Sequence, residues 1–186
     1  MREGVRLDRQ HTALLIVDVQ ERLFGAMDPE QREAMVRNLK ILATGARRLA
    51  MPVIVTEQYP KALGHTLSEV RDALGTVEPI SKVAFSCCAV DGFTDGLRRL
   101  GAQAVVVSGL ETHVCVLMTA LDLLAEGFAV HVPADATVSR MRPNWEIGLA
   151  LLRGEGVVVT TTETVLFQLL RQADTDDFRA LAPFLK

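Results

Sequence analysis

Five short apolar runs recur along the chain, at 13–17, 53–55, 104–107, 129–132 and 157–159, with a weaker sixth around 80–85. They are rich in β-branched residues and do not alternate with polar ones, the pattern of strands covered on both faces. Between them the apolar positions recur at helical spacing. This predicts helices over 29–50, 92–100, 113–126, 144–152, 164–170 and 176–181. The first can open at Pro29, and it aligns Met35, Leu39, Leu42, Ala46 and Leu49 on one face. Strands alternating with helices imply right-handed βαβ units. The expected fold is therefore α/β: a single-domain, three-layer α/β/α arrangement over residues 1–186 with a mostly parallel, six-stranded, Rossmann-like sheet. The longest irregular stretch, 57–66, is expected to shape a pocket.

Composition supports one domain. The chain has 186 residues, 49% of them hydrophobic, enough for a sizeable core. A formal net charge of -3, with scattered Lys and Arg, gives no reason to expect a nucleic-acid partner. The first ten residues are charged and offer no apolar segment for a signal peptide, and no window suits a bilayer span. The cysteines, Cys87, Cys88 and Cys115, are an odd set with two adjacent. That is no disulfide framework, so reduced thiols and a cytoplasmic setting are expected.

Candidate chemistry centres on Cys115. Ser108 and Gly109 break the run 104–107, and the apolar helix pattern begins just after, so Cys115 falls in the first turn of a helix that follows a strand. Unpaired N–H groups and the helix dipole favour a thiolate there and can stabilise an oxyanion. A small buried core cysteine fits the segment as well. Asp18 ends the first run and suits either chemistry or a helix cap. Lys82 lies beside the weak run and, alone, reads equally as a solvated lysine. Ligands of open α/β sheets bind beyond the carboxyl ends of the strands, so these three side chains can converge at one rim. His113, two residues before Cys115, does not share its helix face.

The chain has no Gly-x-Gly-x-x-Gly, no phosphate-binding loop and no Gly-x-Ser-x-Gly elbow, so no cofactor is expected. Phe24, Tyr59 and Trp145 are pocket or packing aromatics. Glu111 either meets a substrate or makes an end-of-strand hydrogen bond. Asp135, Ser139 and Arg140 read as a loop network. The helix pattern 116–124 has more apolar faces than one sheet covers, which suggests a homo-oligomer.

Leu15-Ile-Val-Asp18-Val-Gln20, Val53-Ile-Val-Thr56-Glu-Gln58, Ser81-Lys82-x-x-Phe85-Ser86, Gly109-x-x-x-x-Val-Cys115-Val and Asp135-Ala-x-x-Ser139-Arg140 occur in this order. Together they resemble the isochorismatase-like cysteine hydrolase superfamily, nearest to isochorismatase-domain-containing proteins. The resemblance implies a triad of Asp18, Lys82 and Cys115. It also implies a non-proline cis peptide at Leu110–Glu111 that aims the N–H groups of Glu111 and Cys115 at one oxyanion. Two departures matter. Nicotinamidases carry an Asp-x-His metal site where this chain has Gln58-Tyr59-Pro60, and Glu57 and His65 do not restore it. No metal is expected, and nicotinamide is in doubt as substrate. True isochorismatases lack the cysteine. The expected function is thiol-dependent hydrolysis of a small amide-like substrate through a Cys115 acyl-enzyme, with Asp18 as general acid/base, Lys82 as electrostatic support, and Phe24, Tyr59 and Glu111 as substrate contacts. The alternative is a non-catalytic interaction or scaffold protein that retains the fold.

Overall fold

Seven parallel strands form one sheet in the computed structural model, which describes residues 6–185. They are β1 (Thr12–Val17), β2 (Val53–Gln58), β3 (Ile80–Lys82), β4 (Ala104–Leu110), β5 (Ala129–Pro133), β6 (Thr137–Val138) and β7 (Val158–Thr160). The order across the sheet is β3-β2-β1-β4-β5-β7, with β6 beside the end of β4. The helices are α1 (Glu21–Gly25), α2 (Pro29–Arg48), α3 (Pro60–Leu63), α4 (Ser68–Leu74), α5 (Phe93–Arg99), α6 (Leu117–Ala125), α7 (Arg142–Gly154), α8 (Thr162–Leu170) and α9 (Asp176–Leu181).

Alternation along β1 builds two cores. Leu14 and Ile16 point to a layer with α2, α4, α8 and α9, where Leu39, Val70, Val165 and Leu181 are buried. Ala13, Leu15 and Val17 point the other way, onto Leu97 of α5, Leu123 of α6 and Leu152 of α7. The expected three-layer α/β/α architecture is therefore present, with β6 as one short strand more.

Differences from the sequence pattern have local causes. The helix expected to reach residue 50 stops at Arg48, because Ala50 takes a left-handed φ of 54° and Pro52 follows. Its start is as expected: Asp28 caps it by accepting from the Glu30 N–H at 3.0 Å. The helix expected over 113–126 is two pieces, a π-helical turn at Thr112–Val116 and then α6. The expected cis peptide at Leu110–Glu111 is absent, since no peptide bond among the described residues is cis. Instead Leu110 stays in register opposite Val138, and Glu111 continues extended at φ -86°, ψ 145°. Among the described residues, no helix is long and apolar enough to cross a membrane.

Candidate active site

The C-terminal ends of β1, β3 and β4 bring Asp18, Lys82 and Cys115 together. Asp18 follows β1 in the left-handed region, at φ 53°, which aspartate tolerates better than most residues. Its backbone N–H donates to the Thr56 carbonyl at 3.1 Å, and its own carbonyl accepts from the Gln20 N–H at 2.8 Å. Lys82 ends β3, on the far side of β2. Its Nζ donates to Asp18 Oδ2 at 2.6 Å, and both side chains are fully buried. The same ammonium donates to Gln58 Oε1 at 2.8 Å, Ala84 O at 3.2 Å and Phe85 O at 3.1 Å. Segment 83–85 therefore turns around the ammonium, which is why β3 stops at Lys82 rather than running to Phe85.

Cys115 sits in the turn between β4 and α6. That turn is wide because the Glu111 carbonyl accepts from the N–H groups of Val114 at 3.0 Å and Val116 at 3.2 Å. The Cys115 thiol lies close enough to the Asp18 carboxylate and the Lys82 ammonium for both charges to act on it. Burial pushes this thiol up to about 12; the Asp18 charge pushes the same way, and Lys82 only partly offsets them. This corrects the thiolate expected from helix position: desolvation and a neighbouring carboxylate outweigh the helix start, so the Cys115 thiol is held protonated.

The remaining candidates fall into three groups. Glu111 Oε2 accepts from Arg140 N at 3.0 Å and Nε at 3.1 Å, while His113 Nδ1 pairs with Ser139 Oγ at 3.0 Å. Asp135 Oδ1 accepts from Thr162 N at 2.8 Å and Thr162 Oγ1 at 3.1 Å. These bonds form the expected loop network and fasten the segment after β4. Tyr59 is exposed, at a left-handed φ of 37°, and lines a cleft of about 510 Å³ with Pro60, Val83, Ala84 and Val90 beside the Lys82 segment. Phe24 instead lies under the Arg32 guanidinium of α2, 5.8 Å from ring to cation, and Trp145 donates to Ala134 O at 3.3 Å within the second core.

Sequence reasoning assigned no role to three neighbours of the triad. Thr56 Oγ1 donates to Asp18 Oδ1 at 2.8 Å. Gln58, besides accepting from Lys82, donates through Nε2 to Val83 O at 2.6 Å. Gln20 clamps it, accepting from Gln58 N at 2.7 Å and donating to Gln58 O at 3.0 Å. Thr56, Gln58 and Gln20 all lie in the segments quoted for the resemblance, but nothing in their type or spacing names their partners.

The metal question turns on the same segment. Gln58 Oε1 is taken up by Lys82, and Glu57 pairs with His65 Nδ1 at 3.2 Å and with Thr66 N and Oγ1 at 2.7 and 2.8 Å. Burial would push Glu57 up, but the Thr66 and His65 bonds hold it below the usual carboxylate value. Among the described residues, no three His, Cys, Asp or Glu side chains gather to hold a metal. The residues present do not fit a nicotinamidase-type metal site.

A family profile described as "Isochorismatase domain" matches residues 12–164. Isochorismatase domain-containing protein 1 of Salmo salar is 41% identical over 145 residues, covering 78% of this chain and 51% of that protein. The chain thus spans about half the length of that relative. Among solved structures, MAR1 ribonuclease from Caenorhabditis elegans is similar at a TM-score of 0.90 and 32% identity, over 97% of this chain and 92% of that one. The YcaC gene product of Escherichia coli, described as an octameric hydrolase of unknown specificity, shares the fold at a TM-score of 0.89 and 23% identity, over 100% of this chain and 91% of that one.

Proposed function

We propose, because this chain belongs to the isochorismatase domain family, that it is a cysteine hydrolase that opens the C–N bond of a small amide-like substrate. Membership itself supports a hydrolase role; the mechanism is our reading of the site. The observation that carries it is one buried carboxylate, Asp18, that is paired with the Lys82 ammonium and acts together with it on the Cys115 thiol.

Asp18 takes the thiol proton as Cys115 Sγ attacks the carbonyl carbon. The developing oxyanion is met by backbone N–H groups of the turn that carries Cys115. Asp18 returns the proton to the leaving amine, which departs and leaves a thioester. Water then attacks with Asp18 again as base, and the acid product leaves with the thiol restored. Lys82 supplies the positive charge that pairs with Asp18 at rest and offsets the negative charge that develops on Cys115 Sγ. The nearly closed setting, with Cys115 only 5% exposed, suits a compact substrate. The ribonuclease description belongs to the nematode protein. Here a net charge of -3, with the site's lysine committed to a buried ion pair, favours a small neutral carbonyl compound over a polyanion.

Met118 of α6 and Ile147 and Leu151 of α7 are exposed apolar side chains on one side of the sheet. With an octameric relative of the same fold, they support self-association of this chain. Three free thiols suit a reducing, cytoplasmic setting.

The test is to incubate the protein with a mixture of small amides and read Cys115 by mass spectrometry. The expected result is an acyl adduct on Cys115 and no turnover by Cys115→Ser. Turnover persisting in clean Cys115→Ser would overturn the assignment.

A further inference from the structure

We propose that Thr56 is a positioning residue for the base Asp18, and that the second buried thiol, Cys87, orients Thr56 for that task. The inference rests on the hydrolase reading above and adds two residues that it does not use.

Thr56 is fully buried at the C-terminal part of β2, in register with Val17, the residue before Asp18. It holds Asp18 twice. Its carbonyl accepts from the Asp18 backbone N–H at 3.1 Å, and its hydroxyl donates to Asp18 Oδ1 at 2.8 Å. A threonine hydroxyl has one proton and two lone pairs. The Cys87 thiol donates to Thr56 Oγ1 at 3.7 Å, within reach for sulfur. With Cys87 on a lone pair, the one hydroxyl proton is directed to the carboxylate. Cys87 is itself fixed: it is fully buried, and its N–H donates to Thr119 Oγ1 of α6 at 3.0 Å.

The consequence is directional. Lys82 occupies Oδ2. A carboxylate held at one oxygen can still turn about its last bond. Thr56 on Oδ1 stops that turn, so the base presents a fixed edge to Cys115. Neither Thr56 nor Cys87 gives up a proton in the reaction. Their effect is on the orientation of Asp18.

The experiment reads the rate at which iodoacetamide alkylates Cys115, measured on the Cys115 peptide, across an acid-to-alkaline pH series. Thr56→Val keeps the shape and removes the donor. It is expected to slow Cys115 alkylation about tenfold near neutrality, the scale of one hydrogen bond to a charged group. Thr56→Ser restores the rate. Cys87→Ala shifts the profile in the same direction by a smaller factor. If Thr56→Val does not fold, Thr56→Ala and Cys87→Ala carry the same comparison. A Thr56→Val profile that superimposes on wild type while Asp18→Asn changes it overturns the proposal and leaves the base reading standing. Superimposed profiles for Thr56→Val and Asp18→Asn together overturn both. Failure of Thr56→Ser to restore the profile reduces Thr56 to packing and also overturns the proposal.

Discussion

Gly109 of β4 and Val17 of β1 face each other at the rim with no room for a side chain between them. A Cβ on Gly109 would lie 2.1 Å from the Val17 carbonyl oxygen and 2.7 Å from its nitrogen, and Gly109 has a φ of +111°. The contact is backbone on backbone, so no flexible group can move aside. It also lies one residue from Asp18 and six from Cys115, so the close approach of β1 and β4 sets the distance between these two residues.

Gly109→Ala is therefore expected to cost on the order of 3 kcal/mol or more, through both the clash and the disfavoured φ. Denaturant unfolding of the variant gives the number. A midpoint equal to wild type would mean that the two strands can separate at the rim without penalty.

Lys82→Met would leave Asp18 as a buried charge without its cation. The expected loss is about 3–5 kcal/mol. Asp18→Asn/Lys82→Met removes both charges and should be less damaging than the sum of the singles. Lys82 also pulls the Cys115 thiol down, so Lys82→Met should slow alkylation of Cys115 at any fixed neutral pH. Additive stability losses, or alkylation curves for wild type and Lys82→Met that coincide, would show that the three groups do not act as a unit.

Much of this arrangement is legible in the sequence because it is built from local signals. Pro29 announces α2, and the apolar runs announce β1, β4 and β5. Asp18, Lys82 and Cys115 stand out because each is a reactive side chain where an apolar run ends. What escapes has no local period. β6 is two residues long. Around α3, the left-handed Tyr59 resets the chain direction before Pro60 opens a single turn. Lys82 truncates its own strand by drawing in the carbonyls of residues 84 and 85, a tertiary effect. Thr56, Gln58 and Cys87 reach the site only through the placement of β2 between β1 and β3. The protonation state of Cys115 likewise depends on burial and on a carboxylate ninety-seven positions away in the chain.

The Glu111–Arg140 pair fastens the segment that leads from β4 into the turn carrying Cys115. Glu111 is buried, and one of its oxygens takes both Arg140 donors. Arg140→Met keeps the backbone donor and removes the guanidinium, so a loss of about 1–3 kcal/mol is expected. Activity should fall more than stability does if the segment positions the oxyanion donors. Parallel activity measurements and melts for Arg140→Met decide this: activity unchanged alongside a lowered Tm would make the pair purely structural.

The protonated state of Cys115 has a signature in stability against pH. The thiol is pushed from its ordinary value of 9.0 up to about 12 in the folded chain. Between those values the native protein keeps a proton that the unfolded chain releases. Stability from this group is thus complete below about pH 9 and is lost as pH rises towards 12, by about 1.4 kcal/mol per pH unit at most. Cys88, likewise pushed to about 12, adds to the same slope. Cys115→Ser replaces the titrating thiol with a hydroxyl that does not ionise in this range. Urea midpoints measured from neutral to strongly alkaline pH should fall more steeply for wild type than for Cys115→Ser. Parallel slopes would mean that the thiol titrates alike in the folded and unfolded chain, so that burial and Asp18 do not hold a proton on Cys115.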